Sequence, residues 1–282
     1  MGLTQAPRWL KTVLGALAGG ALLYGGVIGL LWSQQERLLF RPSTLPADFR
    51  FDVPTDVQER WVEVPGARLN ALHLRLPKPD GVVFYLHGNA GDLSTWFVNS
   101  DYYRQLNLDL YILDYRGFGK SSGHIQSQAQ LLADVRAAWQ SIAPLYAGKR
   151  RIIAGRSIGT GLAAALAAEV QPELTVLISP YFSLQDLASS IYPWVPGAVL
   201  RYPLRTDLWL PRIRGPVLLT HGEQDQVIPI GHSERLLALS PRAALLRVPQ
   251  AAHNDIQRFP TYLDGLARVL QDPERVTELR SP

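Results

Sequence analysis

Cysteine is absent from the 282 residues of this chain. Its absence excludes disulfide bonds, a thiolate nucleophile and a zinc site with cysteine ligands. It does not select a compartment, because a chain without cysteine suits reducing and oxidising surroundings equally well. The six histidines form no pair at i, i+4 spacing with an intervening glutamate, which is the pattern of a hydrolytic zinc site. We therefore expect neither a metal ion nor another cofactor.

Lysine is scarce, with four residues among the 28 basic side chains. The arginines are scattered along the sequence, and the formal net charge is only +4. Nucleic-acid-binding domains concentrate their basic residues in one patch or stripe, so we expect no nucleic-acid partner. Hydrophobic residues make up 47% of the chain, which is enough for a large buried core and argues against disorder.

Charged side chains are missing from a long stretch near the N-terminus. Residues 12–32 carry none, and leucine, alanine, valine and isoleucine dominate this stretch. A helix needs about 20 apolar residues to cross the hydrocarbon core of a bilayer. We predict that residues 1–32 form a short tail and a retained membrane anchor. The alternative is a cleaved signal peptide, whose apolar region is shorter, about 7–15 residues, and is followed by a small-residue cleavage site.

Basic residues flank this apolar stretch on both sides, so the positive-inside rule is nearly balanced. The short basic tail with Arg8 and Lys11 favours a cytoplasmic N-terminus and a non-cytoplasmic main domain. Two Gly-x-x-x-Gly sequences, at 15–19 and 25–29, are compatible with a homodimer formed through the anchor. They are equally compatible with glycine being tolerated in a spanning helix.

The rest of the chain alternates between strand and helix patterns. Residues 33–56 contain three prolines and are predicted to be an irregular linker, and residues 57–282 are predicted to be one domain. An antiparallel pair comes first, followed by continuous apolar runs typical of strands buried on both faces. The predicted strands are 60–64, 69–76, 81–86, 108–113, 151–154, 174–178, 216–219 and 243–248, with helices at about 92–106, 127–143, 157–170, 231–239 and 256–271. This alternation predicts a mostly parallel sheet covered by helices on both faces.

One connection, residues 180–214, departs from that alternation. It has six aromatic residues and five prolines, and it matches neither a helix nor a strand pattern over more than 30 residues. Long connections of this kind are usually lids or binding loops. We interpret it either as a short aromatic cap over an apolar acyl pocket or as rings that only seal the top of the sheet.

A serine stands between two glycines in the sequence Gly155-Arg-Ser157-Ile-Gly159. An apolar run precedes it and a stretch rich in alanine follows, which predicts a strand, a sharp turn and a helix. In this context G-x-S-x-G is typical of a nucleophile elbow, which exposes the serine hydroxyl at the edge of a sheet. A serine hydroxyl is a weak nucleophile at neutral pH, so it needs a neighbouring base and a carboxylate that orients the base.

His253 and Asp225 are the candidates for those two roles. His253 lies in the loop after the last predicted strand, which opens at the same carboxyl edge of the sheet as Ser157; its alternative role is a helix cap. Asp225 follows the penultimate strand. Glu223 competes with it as the carboxylate, and Asp225 could instead form only an Asx turn. The order Ser157, Asp225, His253 matches the order expected after such an elbow.

Backbone N–H groups are expected to stabilise the oxyanion of a tetrahedral intermediate. One is the N–H of Ile158, at the start of the helix after the nucleophile, where the helix dipole also helps. The other is assigned to Asn89, in the loop of small residues that follows the strand 81–86. Because this donor belongs to the backbone, an alanine at position 89 should cost little.

Five sequence features in order carry a family resemblance: His87-Gly-Asn-Ala-Gly, Asp114-Tyr-Arg-Gly-Phe-Gly-Lys-Ser, the elbow, His221-Gly-Glu-Gln-Asp225 and His253. Over residues 33–275 the chain resembles α/β-hydrolases. With its N-terminal apolar stretch it resembles membrane-anchored hydrolases of the α/β-hydrolase-domain type, which are relatives of lysophospholipases, acyl-protein thioesterases and serine aminopeptidase-like proteins. The resemblance implies an eight-stranded, mostly parallel sheet. It also implies Ser157, Asp225 and His253 as a catalytic triad, with Asn89 and Ile158 as the oxyanion hole.

The function that follows is cleavage of an ester, thioester or amide through an acyl-enzyme, with an acyl or lipid ester favoured as substrate. A peptidase is the first alternative, and it would need an acidic side chain to hold a substrate amine, for which Glu223 is the nearest candidate. The second is a non-catalytic binding module on the same fold. Loss of the serine, histidine or aspartate would indicate it, and all three are present.

Overall fold

A sheet of eight strands forms the centre of the domain in the computed structural model, which describes residues 7–280. The strands of these residues are β1 (Arg41–Pro42), β2 (Val57–Val64), β3 (Ala67–Leu74), β4 (Gly81–Leu86), β5 (Ala90–Gly91), β6 (Leu108–Leu113), β7 (Arg150–Arg156), β8 (Leu174–Ile178), β9 (Val217–Gly222) and β10 (Ala243–Val248). The order across the large sheet is β10-β9-β8-β7-β4-β6-β3-β2, and β1 pairs separately with β5. Neighbours from β10 to β6 are parallel, whereas β3 is antiparallel to both β6 and β2. The predicted eight-stranded, mostly parallel sheet is confirmed.

Helices cover both faces of this sheet. The α-helices of residues 7–280 are α1 (Arg8–Ser33), which has no buried residue, α2 (Gln35–Leu39), α3 (Leu93–Trp96), α4 (Ser100–Gln105), α5 (Gln128–Ile142), α6 (Gly159–Val170), α7 (Leu184–Ile191), α8 (Thr206–Trp209), α9 (Gly231–Leu237) and α10 (Pro260–Gln271). Alternation along the central strand β4 sends Val82 and Phe84 into one core and Val83 and Tyr85 into the other. The first core is closed by α5 and α6, and the second by α4 and α10. The central strands are therefore apolar on both sides.

Two of the predicted helices are interrupted in the structure. The pattern at 92–106 divides into α3 and α4, and the pattern at 256–271 begins as a 3₁₀ turn, Ile256–Arg258, before α10 starts. Pro260 explains the second interruption. Proline has no backbone N–H for a preceding turn to use, and it forces Phe259 before it into an extended conformation, with φ −93° and ψ 128°.

Residues 33–56 are more regular than the linker that the sequence predicts. They contain α2 and β1, and the side chains of Gln35 and Phe40 are buried. The strand β1 pairs in parallel with β5, which follows β4 in the chain. Tertiary contacts hold this segment, and its proline content does not reveal them.

The insert 180–214 lies between β8 and β9 and contains two helices, α7 and α8, which its sequence pattern does not predict. Its six aromatic side chains range from fully buried to half exposed. Tyr181 and Tyr202 are fully buried, whereas Tyr192 and Trp194 are 53% and 50% exposed. The insert therefore seals part of the sheet and also presents aromatic rings outward.

The N-terminal helix α1 has 26 residues, and its most apolar stretch of 18 residues has a mean hydropathy of 1.9 and contains no buried residue. By length and composition it is a candidate membrane anchor. A methyl group added at any of its glycines would meet no neighbouring atom within 4 Å, so the face with the Gly-x-x-x-Gly sequences is open in the single chain. The homodimer stays a prediction, and residues 1–6 of the predicted tail lie outside the described residues.

Candidate active site

Ser157 occupies a sharp turn between β7 and α6. Its φ is +53°, in the left-handed region that costs a residue with a side chain about 1 kcal/mol or more. The two flanking glycines allow the turn. A Cβ at Gly155 would collide with the carbonyl of Gly159, and a Cβ at Gly159 would collide with the carbonyl of Leu86 at the end of β4. The strand, elbow and helix therefore approach one another more closely than any side chain would permit.

The three residues predicted for catalysis meet at the carboxyl edge of the sheet. Ser157 Oγ lies 3.1 Å from His253 Nε2, and His253 Nδ1 lies 2.7 Å from Asp225 Oδ2. Because an ionised carboxylate only accepts hydrogen bonds, His253 donates from Nδ1. Its Nε2 is then the acceptor for the serine hydroxyl. Glu223, the competing carboxylate, is exposed to solvent.

Asp225 is buried, and both of its carboxylate oxygens accept hydrogen bonds. Oδ1 accepts the backbone N–H groups of Val227 and Ile228 at 2.9 and 2.8 Å, so the aspartate forms the Asx-type turn as well as the contact with His253. His221 Nε2 lies 3.3 Å from Oδ2. Burial alone would raise the pKa of Asp225, but the hydrogen bonds from His221 and His253 outweigh it and hold this pKa well below its usual range. The carboxylate is thus a stable negative charge beside the imidazole.

Arg156 fixes the loop that carries the histidine. Its Nη2 donates to the backbone carbonyl of His253 at 2.8 Å, and its guanidinium carbon lies 5.6 Å from the centre of the Trp96 ring. A second tie comes from Asp255, whose Oδ1 accepts the N–H of Ala252 at 2.8 Å. Sequence reasoning missed Arg156, which occupies the first variable position of the elbow motif.

The loop after β4 lies against the nucleophile. A Cβ built at Gly88 would be 3.7 Å from Ser157 Cβ, which places the backbone next to Asn89 close to the serine. Several hydrogen bonds hold this loop in position, and two of them are made to Asn89 and Ala90. Arg41 N–H donates to the Asn89 carbonyl at 2.7 Å, and Trp96 Nε1 donates to the Ala90 carbonyl at 2.8 Å.

Ile158, the other residue predicted for the oxyanion hole, is buried at the N-cap of α6. Backbone N–H groups at the first turn of a helix have no intrahelical acceptor and lie at the positive end of the helix dipole. Tyr181 from the insert supports this turn, since its hydroxyl donates to the Ile158 carbonyl at 2.9 Å and accepts the Gly161 N–H at 3.2 Å. This tyrosine belongs to the rings that seal the sheet.

A buried pair, His87 and Asp114, supports the loop after β4, which contains Asn89 and is called the oxyanion loop below after its predicted role. His87 Nδ1 donates to the Gly88 carbonyl at 2.7 Å, and its Nε2 is 3.3 Å from Asp114 Oδ1. Burial raises the pKa of Asp114, and the neighbouring His87 acts against that rise. Asp114 Oδ2 accepts the N–H of Leu93 at 3.2 Å. The loop that begins at Asp114 thus has a supporting role.

The remaining three histidines make their contacts with residues other than Ser157. His73 is buried and contacts Tyr146, His124 is exposed, and His232 Nδ1 accepts the Phe182 N–H. Within residues 7–280, no three side chains of the metal-ligating types lie close enough together to hold an ion.

A cavity of about 560 Å³ opens beside the elbow. Arg156 and Asn254, which adjoin Ser157 and His253 in the chain, line this cavity together with Trp96 and the rings of Tyr85 and Tyr262. Ligand sites are commonly concave and mostly apolar with a few polar groups, and this cavity has that character.

Comparisons with known proteins agree with this geometry. A family model described as "Serine aminopeptidase, S33" matches residues 77–210, which include Ser157. An uncharacterised protein of Mycobacterium tuberculosis is 34% identical over 267 residues, covering 90% of this chain and 91% of that protein. Alpha/beta hydrolase domain-containing protein 17C of Xenopus tropicalis is 30% identical over 218 residues, covering 75% of this chain and 68% of that protein.

Two solved structures share the fold at low sequence identity. An esterase of Pyrococcus furiosus has a TM-score of 0.64 at 16% identity and covers 86% of this chain and 98% of its own. Est1E of Butyrivibrio proteoclasticus, solved with ferulic acid bound, has a TM-score of 0.63 at 19% identity and covers 78% of this chain and 98% of its own. The predicted family is confirmed: the chain belongs to the α/β-hydrolase superfamily of serine hydrolases.

Proposed function

We propose that this chain is a membrane-anchored serine hydrolase that cleaves an ester, thioester or amide, with an acyl or lipid ester as the favoured substrate. The observation that carries the proposal is the chain of hydrogen bonds from Ser157 through His253 to Asp225, at 3.1 and 2.7 Å. These distances lie within the range that a nucleophile, a base and an orienting group require.

In the acylation step, Ser157 Oγ attacks the carbonyl carbon of the substrate while His253 Nε2 takes up the hydroxyl proton. Asp225 stays ionised and stabilises the imidazolium through the bond to Nδ1. The negative oxygen of the tetrahedral intermediate accepts hydrogen bonds from the backbone N–H groups of Asn89 and Ile158. His253 then gives its proton to the leaving oxygen, sulfur or nitrogen as that bond breaks, and the acyl group remains on Ser157.

The deacylation step runs the same relay with water. His253 removes a proton from a water molecule as its oxygen attacks the acyl carbon, and a second tetrahedral intermediate forms. The bond to Ser157 Oγ then breaks, the serine recovers its proton from His253, and a carboxylic acid leaves. No group outside the protein and water is needed for either step.

The preference for an acyl substrate rests on two features. The aromatic cavity beside Arg156 and Trp96 offers apolar surface next to the elbow. The helix α1, at 26 residues, is long enough to cross a bilayer and ends just before the segment that contacts the oxyanion loop. We propose that α1 is retained as an anchor, with the catalytic domain on the non-cytoplasmic side.

A fluorophosphonate probe tests the proposed nucleophile. The full chain in detergent should be labelled, and Ser157→Ala should abolish labelling. Ser94→Ala, which removes an exposed serine from α3 after the oxyanion loop, is the matched control and should be labelled like the wild type. Labelling that survives Ser157→Ala would remove Ser157 as nucleophile. A wild type that is never labelled and hydrolyses nothing would favour a binding module.

The match to a model described as a serine aminopeptidase keeps a peptidase as the second candidate. Such an enzyme needs a carboxylate that binds the substrate amine. Asp225 and Asp114 each lie beside a histidine, and the exposed Glu223, which follows the same strand as Asp225, is the candidate that the sequence offers. Comparing p-nitrophenyl acyl esters with aminoacyl p-nitroanilides distinguishes the two functions. A peptidase would prefer the anilides, and it would lose that preference in Glu223→Gln.

A further inference from the structure

The insert 180–214 is joined to the anchor helix by hydrogen bonds along the length of its outer part. Tyr24, in the second half of α1, donates from its hydroxyl to the Trp194 carbonyl at 3.0 Å. Past the end of that helix, Gln35 Nε2 donates to the Val199 carbonyl at 2.7 Å, and Gln35 Oε1 accepts the Arg201 N–H at 2.8 Å. The insert and the anchor are therefore one unit on this side of the molecule.

An ion pair lies at one end of this unit, where α1 ends. Arg201 forms an ion pair with Glu36, and Tyr202 donates to the same carboxylate at 2.5 Å. The Arg201 guanidinium also lies 4.9 Å from the centre of the Trp32 ring. These charges lie next to the end of the apolar helix, where a polar headgroup layer would be.

The part of the insert that precedes Arg201 in the chain is apolar, and many of its side chains are exposed. Residues 187–200 contain no charged residue, in a chain in which 18% of residues are charged. Ile191, Tyr192 and Trp194 are 55%, 53% and 50% exposed. Contiguous exposed apolar side chains are rare on soluble proteins and indicate a binding surface, and tyrosine and tryptophan are enriched at membrane interfaces.

The hydrogen bond between Tyr24 and the Trp194 carbonyl shows where this surface lies along the axis of α1. Tyr24 precedes Ser33 at the end of α1 by nine residues, which at 1.5 Å per residue is about 13 Å along the axis. The hydrocarbon core of a bilayer is about 30 Å thick. If α1 crosses the bilayer, the backbone at Trp194 lies below the headgroup layer, and the charge-free composition of residues 187–200 fits that position.

A groove of about 320 Å³ runs between the anchor and the insert. Apolar side chains form most of it, with Leu31 and Leu38 on the anchor side and Ala188 and Leu200 on the other. Arg41 lies at its wall, and the N–H of that residue donates to the carbonyl of Asn89 in the oxyanion loop. The groove thus begins at the depth of the acyl chains and reaches a residue that touches the active site.

We propose that residues 191–196 are embedded in the lipid bilayer and that the groove takes an acyl chain of a membrane lipid. This inference rests on the proposed anchoring by α1 and deepens the proposed preference for acyl substrates. The insert then acts as a second membrane-binding element, and a lipid-borne acyl chain enters from the side without leaving the bilayer. The exposed side chains of Ile191, Tyr192 and Trp194 are then in contact with lipid acyl chains.

The absence of cysteine makes a direct test possible, because each introduced cysteine is a unique labelling site. The full chain is reconstituted in phosphatidylcholine vesicles and labelled with an environment-sensitive nitrobenzoxadiazole dye in Ile191→Cys. Leu22→Cys, on the exposed surface of α1, tests the anchor. Leu145→Cys, exposed in the turn after α5 at the opposite edge of the sheet, is the aqueous control. Fluorophosphonate labelling of each variant checks that the catalytic domain is folded.

Quenching by nitroxide-labelled phosphatidylcholine but not by aqueous iodide is expected at positions 22 and 191, and the reverse at 145. Iodide quenching at 191 with lipid quenching at 22 would overturn this inference and leave the anchor intact. Iodide quenching at both position 22 and position 191 would overturn the proposed anchoring by α1 as well. The proposed serine chemistry is tested separately, by labelling with the fluorophosphonate probe. Protection of position 191 from both quenchers would also overturn the inference, because a protein partner such as a second copy would then cover the surface.

Occupation of the groove is tested with vesicles that contain phosphatidylcholine with a photoactivatable diazirine in its acyl chain. Cross-links in wild type should include Gln185 and Leu200, which line the groove outside the embedded residues 191–196. Ala188→Phe fills the groove and should lose the cross-links at these two residues while those at 191–196 remain, whereas Ala129→Phe, on an exposed position of α5, should keep all of them. Equal cross-linking in both variants would show that the acyl chain does not enter the groove.

Discussion

Arg156 and His253 are joined through the backbone: the arginine next to the nucleophile donates from Nη2 to the carbonyl oxygen of the histidine at 2.8 Å. The side chain of the residue before Ser157 thus holds the main chain of the predicted base, His253. The histidine sits in a loop, and loops are the most mobile parts of a fold, so its imidazole needs such a tie to keep its distance to Ser157.

Arg156→Ala should therefore lower kcat by about 10- to 100-fold while KM changes little, because small displacements of a catalytic group have effects of this size. Hydrolysis of a p-nitrophenyl ester by the full chain in detergent measures both constants. Arg151→Ala is the matched control, since Arg151 lies in the same strand but pairs with Glu173 away from the serine. Equal losses of kcat in both variants would mean that the strand, and not the tie to His253, is responsible.

Asp225→Asn tests which carboxylate orients the histidine. The asparagine is close in shape, but it no longer supplies the negative charge that selects the Nδ1–H tautomer of His253, and such a change lowers kcat by about 10⁴-fold in a serine triad. Glu223→Gln should leave kcat near the wild-type value, because Glu223 is exposed. The same ester assay measures both variants. A large loss in Glu223→Gln and a small one in Asp225→Asn would reverse the assignment.

The buried part of the fold could be predicted closely from the sequence. The strands at 81–86, 108–113, 174–178 and 243–248 have the predicted bounds, because strands buried on both faces appear as continuous apolar runs between polar ends. The meeting of Ser157, Asp225 and His253 could also be predicted, since each follows a parallel strand and the carboxyl ends of such strands share one edge.

Other features depend on contacts that leave no local pattern. Arg156 binds a backbone carbonyl 97 positions away, which any residue at 253 would offer. The segment 33–56 is ordered by pairing of two residues with β5 and by burial of Gln35 against the insert. His87 and Asp114 are 27 positions apart, and only the fold shows that they meet. Tertiary contacts of this kind override local propensity and composition.

His73 should make the stability of the domain depend on pH. Its side chain is fully buried in β3, where Nε2 lies 2.7 Å from the Tyr146 hydroxyl. Burial lowers the pKa of His73 to about 3, and the charge of Arg75 acts in the same direction. The unfolded chain takes up a proton near pH 6.5 but the folded chain only near pH 3, so this contribution is complete above pH 6.5 and is lost as the pH falls through that window.

Between pH 6.5 and 5 the loss should be about 2 kcal/mol, at 1.36 kcal/mol for each pH unit. Urea unfolding of the full chain in detergent at several pH values measures it. His73→Gln should flatten the dependence in this range, whereas His124→Gln, which removes an exposed histidine, should retain it. An unchanged slope in His73→Gln would show that other groups cause the acid sensitivity.

Asn89 offers a test of whether the oxyanion is held by backbone or by side chain. Asn89→Ala keeps the backbone N–H, so kcat for ester hydrolysis should fall by less than about tenfold, whereas loss of one oxyanion donor typically costs about 10²- to 10³-fold. Asn89→Pro removes the N–H but keeps the carbonyl that accepts from Arg41, and kcat should show the full loss with KM little changed. Thermal unfolding of both variants separates this effect from a folding defect. If Asn89→Ala loses as much activity as Asn89→Pro while remaining folded, the donor is the asparagine side chain, because that is the group which both substitutions remove.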